Sequence, residues 1–527
     1  MRAVYERDVA RLFAVFVNRS ETLPRKVFRF STPKIAMPLR IFSSAIVLLG
    51  SLSAFGATPD DWRRKLPEPV IEEHPGWVDL YYDTWRIADE KMSCYDGQHL
   101  FDTAFTKGRI WMWDTVWISH FGIYVQDAHP KITNPMHGYD LFYAAQRDDG
   151  CIPHVWDVTG SHNWDIHNPI FSLGELNYHR HTGDLSRIEK ALPILDRFFF
   201  YLKDKYGQPD GLYRTFDWNN GMDNRPNPGI SIDSTCEQAM VAAQLKEMAA
   251  LVGDDQRAAK FGEEHAALEK LINSKMWHAG DQFYTDCNRE REPVNVWSVA
   301  SYWSLLSRIA PPGRAAQMKK HLFDRANFKT PVMVPTLGRR SPDYDGDGGA
   351  YWRGSVWIPT NTMVIKGLTE YGYRAEARQI AVNGLEGIHA TWKNTGTLHE
   401  NYDQEKPGKP GEHSKRDFVG WTGVQPIATL IEYIIGIRPH APENKIRWTL
   451  RMTGKHGVRN LKWGPDYGRS VSLVADARKS ADDPVTISVQ SAAPFELEVD
   501  AGFATKTFEI DKPGRTTVRL AKDSGRN

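Results

Sequence analysis

Between about residue 75 and residue 440, the apolar residues of this 527-residue chain recur at steps of three and four. This spacing is typical of helices that turn one apolar face toward a core. Gly, Pro, Asp and Asn residues divide the region into twelve predicted helices. They lie near residues 75–91, 114–126, 134–146, 169–181, 184–204, 232–252, 255–276, 294–309, 312–323, 356–371, 374–391 and 421–436. Twelve consecutive helices indicate six helical hairpins and an all-α domain.

After Pro439 the pattern changes to short β-branched or aromatic segments, such as VSLVAD, VTISV and TVRLA, separated by Gly, Pro, Asp and Lys. Such segments predict strands. The chain therefore divides into an N-terminal extension with a signal peptide (1–57), a helical domain (58–440) and a β-sandwich-like domain (441–527). We expect the last domain to pack against the helices, and a separate carbohydrate-binding role is the alternative.

The N-terminal region carries a predicted export signal. The segment MPLRIFSSAIVLLGSLSAFGA, which begins at Met37, combines Arg40, an apolar stretch and small residues near Ala57. This order is typical of a signal peptide, and the apolar stretch is short for a membrane span. Translation from Met37 or one long signal peptide both fit, and a retained membrane anchor is the alternative. We expect a periplasmic or secreted protein without stable membrane association after cleavage.

Charge and cysteine content exclude several functions. The chain has 66 Lys and Arg against 65 Asp and Glu, so no global positive field favours nucleic acid. The four cysteines have no CxxC spacing, which disfavours zinc and thioredoxin-like sites, and any disulfides among them cannot be paired from sequence. The 18 histidines include no HExxH motif, so zinc catalysis is disfavoured as well.

Two loops combine carboxylates with amides and aromatic residues. The segment FDWNNGMDNRP contains Asn219 and Asp223, and GTLHENYDQ contains His399 and Glu400. Asx residues with Gly and Pro also form turns unaided, so either loop alone is a weak signal. Both loops follow helices where hairpins open onto one rim. One carboxylic acid and one carboxylate on a common rim are what glycoside hydrolysis requires.

Aromatic clusters add to this interpretation, because flat apolar faces beside polar groups suit sugar rings. The chain has 18 Trp, 20 Tyr and 23 Phe. In WMWDTVW we assign Trp111 and Trp117 to the core and Trp113 and Asp114 to a site. The predicted sugar-binding residues are Trp113, Asp114, Asn168, Asn219, Tyr351, Trp352, Arg353, His399 and Trp421.

The ordered motifs WMWDTVW, NNGMDNRP, YWRGSVW, LHENYD and GWTG resemble those of the trehalase-like and mannosyl-oligosaccharide-glucosidase-like glycoside hydrolases. They are most similar to the bacterial branch that includes mannosylglycerate hydrolase. The resemblance covers roughly residues 60–440. It implies an (α/α)6 barrel and an inverting, exo-acting hydrolase of an α-linked sugar, with Asp223 as general acid and Glu400 as general base. An Arg-rich trehalase signature is missing, which argues against trehalose as the substrate.

Other functions remain open at this level. A sugar epimerase or polysaccharide lyase on the same barrel would use His399 or Tyr402 to move a carbon-bound proton, and a non-catalytic sugar-binding protein is a further alternative. No cofactor is expected, although Asp343, Asp345 and Asp347 resemble the opening of a calcium loop that lacks its closing Glu. The expected partner is an oligosaccharide or small glycoside, and the sequence leaves the oligomeric state open.

Overall fold

Helices dominate the chain up to residue 435 in this computed structural model, which describes residues 62–522 apart from 104, 126, 218–220 and 228. The α-helices are α1 (Pro75–Glu90), α2 (Met112–Gly122), α3 (His137–Ala144), α4 (Phe171–Thr182), α5 (Ser186–Tyr206), α6 (Ile232–Leu251), α7 (Asp255–Lys275), α8 (Trp303–Leu306), α9 (Pro312–Leu322), α10 (Ile358–Glu370) and α11 (Arg374–Thr395). A π-helix follows over Gln425–Ile435. The predicted signal peptide lies outside the described residues.

The predicted helices are found within a few residues of their expected ends, with one exception. The segment expected to be helical over 294–309 forms only a 3-10 turn, Val299–Tyr302, and the short α8. Its first residues are extended because Ser298 pairs with Leu337 and the Val299 N–H donates to the Thr336 carbonyl at 2.9 Å. The prediction of one long helix was therefore wrong here, since apolar spacing cannot detect this competing backbone pairing.

The helices fall into two kinds that differ in burial. Every residue of α2 is buried, whereas α7 buries only Phe261, Leu268 and Ile272. A helix that is apolar on all sides belongs inside a domain, and a helix with a narrow apolar stripe lies at its surface. Buried helices contact one another in chain order, α2 with α4, α4 with α6, α6 with α8 and α8 with α10. Both α10 and α2 also contact the turn Thr422–Val424 that leads into the π-helix.

Strands dominate the chain after the π-helix. Short strands between and before the helices are β1 (Glu68–Ile71), β2 (Ser93–Tyr95), β3 (Gln98–Leu100), β4 (Arg109–Trp111), β5 (Val155–Asp157), β6 (Trp277–His278) and β7 (Phe283–Tyr284). The strands after the π-helix are β8 (Ile437–His440), β9 (Lys445–Thr449), β10 (His456–Trp463), β11 (Arg469–Ala475), β12 (Val485–Ser491), β13 (Phe495–Asp500), β14 (Thr505–Ile510) and β15 (Gly514–Leu520). One sheet has the order β1-β10-β11-β12-β15 and another has β14-β13-β9-β8.

The neighbouring strands of both sheets are antiparallel except for the parallel pair β9 and β13. Buried and accessible residues alternate along β11, β12 and β13, so one face of each sheet packs on a core. Strand β1 forms the edge of the five-stranded sheet, although it precedes all of the α-helices. Strand β8 contacts α4, and His181 Nε2 bonds the Lys462 carbonyl at 2.8 Å, which joins the sheets to the helices.

Two further findings concern the described residues as a whole. No helix among them is long and apolar enough to cross a membrane. All four cysteines, Cys94, Cys151, Cys236 and Cys287, are free.

Candidate active site

A cavity of about 770 Å³ lies where α2, α10 and the π-helix begin. Segments that are far apart in the chain form its wall. Seven of the residues predicted for a site line it, namely Trp113, Asp114, Asp223, Tyr351, Trp352, Glu400 and Trp421. Because helix N-termini favour negative charge, this end of the helical region suits a group of carboxylates.

Glu400 is a buried carboxylate of the cavity wall, with a side chain only 2% exposed. Its Oε1 accepts from the Tyr351 hydroxyl at 3.3 Å and from Lys415 Nζ at 3.4 Å, and its Oε2 accepts from the Lys415 N–H at 3.3 Å. The Trp421 indole donates to the Glu400 carbonyl at 3.0 Å. Burial raises the pKa of Glu400, and the charge of Lys415 partly offsets that effect.

Asp223 lies on the loop before α6 and keeps a solvent-accessible surface toward the cavity. The protein around it nevertheless removes much of its hydration, and this desolvation together with the negative charge of Glu400 raises the pKa of Asp223 to about 6. A carboxyl group with this pKa is protonated in mildly acidic solution, which suits it to donate a proton.

Asn224 ties the Asp223 loop to the turn that carries Tyr351. Its Nδ2 donates to the Ala350 carbonyl at 2.7 Å, and its Oδ1 accepts from the Trp352 N–H at 2.9 Å. Arg353 Nε donates to the Asn224 carbonyl at 3.2 Å. Three hydrogen bonds therefore fix the spacing between the segment of Asp223 and the segment that contacts Glu400.

The turn itself is strained. Tyr351 has φ 69° and ψ −98°, which is unusual for a residue with a side chain. Its carbonyl is held by two donors, the Trp357 indole at 3.1 Å and the Ser355 hydroxyl. Rings support the same turn, because Trp352 and Trp357 stack with centroids 3.5 Å apart. Strained backbone that neighbours hold in this way is typical of functional sites.

Asp114 and Trp113 present polar atoms that the described residues leave unbonded. Both residues stand in the first turn of α2, and both are buried. Asp114 Oδ1 and Trp113 Nε1 have no hydrogen-bond partner among the described residues, and the same is true of Nδ1 in His154 and His167, which also line the cavity. Burial raises the pKa of Asp114, and the charges of Asp102 and Glu400 add to it. Unpaired buried polar atoms are costly, so this wall suits a ligand that carries hydroxyl groups.

Three of the predicted binding residues do not line the cavity. Asn168 is buried and donates from Nδ2 to Glu237. Arg353 is exposed and bonds the Asn224 backbone. The His399 ring nitrogen Nε2 contacts Thr395 Oγ1 at 3.1 Å, and the backbone N–H of His399 donates to the buried Tyr402 hydroxyl. The epimerase and lyase hypotheses depended on His399 and Tyr402, and neither residue reaches the cavity wall.

The two tryptophans that were assigned to the core, Trp111 and Trp117, differ in the structure. Trp111 was assigned to the core but lines the cavity, because it ends strand β4 and is only partly covered, whereas Trp117 is fully buried as expected. Asn219 lies outside the described residues. Among the described residues, no group of three His, Cys, Asp or Glu residues is placed so that it could hold a metal ion, and this includes Asp343, Asp345 and Asp347.

Sequence reasoning missed Lys415, Asn224 and the cavity histidines. Lys415 stands in HSKRDF, a charged segment without a catalytic signature. In the sequence, only its position next to Asp223 points to Asn224. Its hydrogen-bond partners, Ala350 and Trp352, are 126 and 128 residues away along the chain. His167 stands in HNWDIHNP beside Asn168, and nothing in that motif indicates which of the two residues lines the cavity.

Arg225, Asp233 and Asp286 form a buried ion cluster next to the loop that carries Asp223. Arg225 Nη1 lies 2.7 Å from Asp286 Oδ2, and its Nη2 lies 3.1 Å from Asp233 Oδ2, with all three side chains at most 1% exposed. Asp233 belongs to the first turn of α6, and Ser231 caps this helix by accepting from the Ser234 N–H. The cluster thus joins the loop that carries Asp223 to the start of a buried helix.

The chain matches known proteins over this same region. The profile of the mannosylglycerate hydrolase MGH1-like glycoside hydrolase domain matches residues 136–419, which is more than half of the chain. An uncharacterized protein of Borreliella burgdorferi is 27% identical over 342 residues, covering 61% of this chain and 72% of that protein.

A more distant relative and a solved structure are also similar to this chain. A probable mannosyl-oligosaccharide glucosidase of Schizosaccharomyces pombe is 24% identical over 57% of this chain, and the match spans only 42% of that protein. The crystal structure of the GH63 mannosylglycerate hydrolase from Thermus thermophilus in complex with glucose has a TM-score of 0.54 at 17% identity. The match covers 67% of this chain and 98% of that one. At this identity the structural likeness establishes the fold of the helical region.

Proposed function

Because the chain belongs to the mannosylglycerate hydrolase MGH1-like glycoside hydrolase family, we propose that its cavity hydrolyses a terminal α-linked sugar of the α-glucoside or α-mannoside type, with inversion. The observation that carries this proposal is the pair of unlike carboxyl groups in one cavity. Asp223 has a pKa of about 6, and Glu400 lies against a lysine. The two carboxyl groups thus lie in different electrostatic surroundings, with Lys415 bonded to Glu400, and such a difference is typical of an acid and a base.

The proposed reaction needs no group beyond water and these side chains. Asp223 gives its proton to the glycosidic oxygen as the bond from that oxygen to the anomeric carbon breaks. Glu400 takes a proton from water as the water oxygen bonds to the anomeric carbon from the opposite face. We expect the two carboxyl groups to be roughly 6.5–9.5 Å apart, the spacing that leaves room for this water.

The remaining parts of the proposal concern architecture and location. We propose that the helices close into an (α/α)6 barrel whose pocket is blind, so that only a chain end enters. The order of contacts among the buried helices, which runs from α2 to α10 and returns to α2 through Thr422–Val424, supports such a ring. We also propose that the protein is exported, on the signal-like segment after Met37.

The experiment is a screen of aryl α-glycosides and small α-linked heterosides, followed by proton NMR of the first minutes of hydrolysis. Initial release of the β sugar supports inversion, and initial release of the α sugar contradicts it. Glu400→Gln should abolish turnover without a trapped glycosyl-enzyme. Glu412→Gln is the matched control, because Glu412 lies on the same loop but contacts His413, outside the cavity wall. Equal activity of the two variants would remove Glu400 from the reaction.

A further inference from the structure

Lys415 places two donors on one carboxylate. Its ammonium group is 3.4 Å from Glu400 Oε1, and its own N–H is 3.3 Å from Oε2 of the same side chain. The backbone of the two residues is also paired, since the Glu400 N–H donates to the Lys415 carbonyl at 3.0 Å. The lysine ammonium packs 3.9 Å above the Phe105 ring, which holds the flexible side chain in place.

The position of this charge is unusual for the cavity. The other permanent cation of the wall, Arg109, bonds Asp157 at 2.5 Å. The histidines of the wall are His154, His162 and His167, and burial lowers the pKa of each, so they are neutral near pH 7. Among the described residues that line the cavity, Lys415 is therefore the only cation that faces the carboxylates.

The groups around Glu400 are otherwise neutral or negative. Asp223 and Asp114 line the same cavity, Asp102 lies behind Asp114, and the Tyr351 hydroxyl is a neutral donor. Without a cation, three carboxyl groups in a poorly hydrated cavity would compete for protons. The lysine charge acts on all three, since it lowers the pKa of Asp114, Asp223 and Glu400 against the effect of burial.

We propose that Lys415 is a positioning residue that holds Glu400 as the charged proton acceptor and so sets the pH range in which this site works. This inference rests on the proposed function, in which Glu400 accepts a proton from water. Its physical basis does not depend on the substrate: the ammonium group stabilises the ionised carboxylate at Oε1, and the backbone N–H of the same residue bonds Oε2. Lys415 acts through Glu400, so we expect its loss to change the pH at which Glu400 ionises more than it changes the affinity for the sugar.

The first measurement needs no substrate. The pKa of Glu400 is followed by ¹³C NMR of protein labelled at the glutamate side-chain carboxyl, with Glu400→Gln identifying the signal. In Lys415→Met we expect this pKa to rise by about one unit, the low end of the effect of an adjacent charge, because the lysine is partly exposed. Lys415→Arg should restore most of the difference.

The second measurement is the pH profile of kcat/KM on the aryl α-glycoside that the wild type hydrolyses. Both limbs should move to higher pH in Lys415→Met, giving about a tenfold loss below the optimum with little change in KM. The control is Lys406→Met, which removes an equal charge on the same loop but one that pairs with Asp347.

The outcomes separate the two proposals. An unchanged Glu400 pKa in a folded Lys415→Met protein overturns the role of Lys415, whether or not a substrate is known. A raised KM with an unmoved pH profile also overturns it and makes Lys415 a substrate contact. A wild type that hydrolyses none of the glycosides contradicts the proposed function, while the NMR titration still decides the inference.

Discussion

Asn224 Oδ1 accepts a hydrogen bond from the Trp352 N–H at 2.9 Å, across 128 residues of sequence. The same side chain donates to the Ala350 carbonyl. The side-chain amide of Asn224 thus joins the loop that carries the proposed acid to the turn that supports the proposed base. The distance between acid and base determines whether a water fits between them. We therefore expect Asn224 to help set the distance between the proposed acid and the proposed base.

We expect Asn224→Ala to lower kcat/KM by about tenfold to a hundredfold, because small displacements of reacting groups are costly. The measurement is steady-state kinetics on an aryl α-glycoside. Asn227→Ala is the matched control, since the bonds of Asn227 to the described residues stay within its own loop, where it accepts from the Thr215 hydroxyl and the Gly229 N–H. Equal losses in both variants would show that general loosening of the loop, and not the link to Trp352, is responsible.

Asp223 should control the basic limb of the pH profile. A general acid works only while protonated, so activity should fall as the pH rises through about 6, the pKa of Asp223. Asp223→Asn should lose about a hundred- to ten-thousandfold on a natural glycoside, less on an activated aryl glycoside, and its basic limb should vanish. A basic limb that persists in Asp223→Asn, or equal losses on both substrates, would assign the acid role to another group.

Local sequence patterns predicted the fold well where helix packing alone decides it. Of the predicted apolar stripe, Ile188, Leu192, Leu195, Phe199 and Leu202 are buried in α5, whereas Leu185 precedes the helix and is 41% exposed. Prediction was wrong over 294–309, where Ser298 pairs with Leu337 and backbone pairing from a distant segment replaced the helix. The strand Glu68–Ile71 shows the same limit, because its partner strand β10 lies far along the chain, after all of the helices.

The lining of the cavity was predictable where a residue stands in a distinctive loop motif, as Asp223, Glu400 and Trp352 do. It was not predictable where the role depends on a side chain's direction. Asn168 turns away from the cavity to Glu237, while its neighbour His167 reaches the wall. Lys415 gains its role from a contact across 15 residues of irregular chain, which no periodicity encodes.

The buried cluster of Arg225 should contribute strongly to stability. Arg225→Met leaves Asp233 and Asp286 buried without their cation, which we expect to cost about 3–5 kcal/mol in the free energy of unfolding. Denaturant titration measures it. Arg459→Met, which breaks a half-exposed pair with Glu68, should cost less than about 1 kcal/mol. A similar small loss in both variants would show that the cluster adds little to the stability of the fold.

Tyr351 offers the sharpest separation between supporting the base and binding the sugar. Its hydroxyl donates to Glu400 Oε1 and lowers the pKa of that carboxyl, so Tyr351→Phe should raise the pKa and move the acidic limb of the profile to higher pH. We expect kcat to fall about tenfold with KM nearly constant, because the lost bond acts on the base.

The chain contains a matched control for this substitution. Tyr344 donates to Glu405 Oε1 at 2.5 Å, the same pair of groups outside the cavity wall, so Tyr344→Phe should leave both constants and the pH profile unchanged. If Tyr351→Phe instead raises KM at constant kcat, its hydroxyl contacts the bound sugar in ground state and transition state alike. The strained backbone at Tyr351 would then serve substrate binding, and Lys415 alone would remain to hold Glu400 ionised.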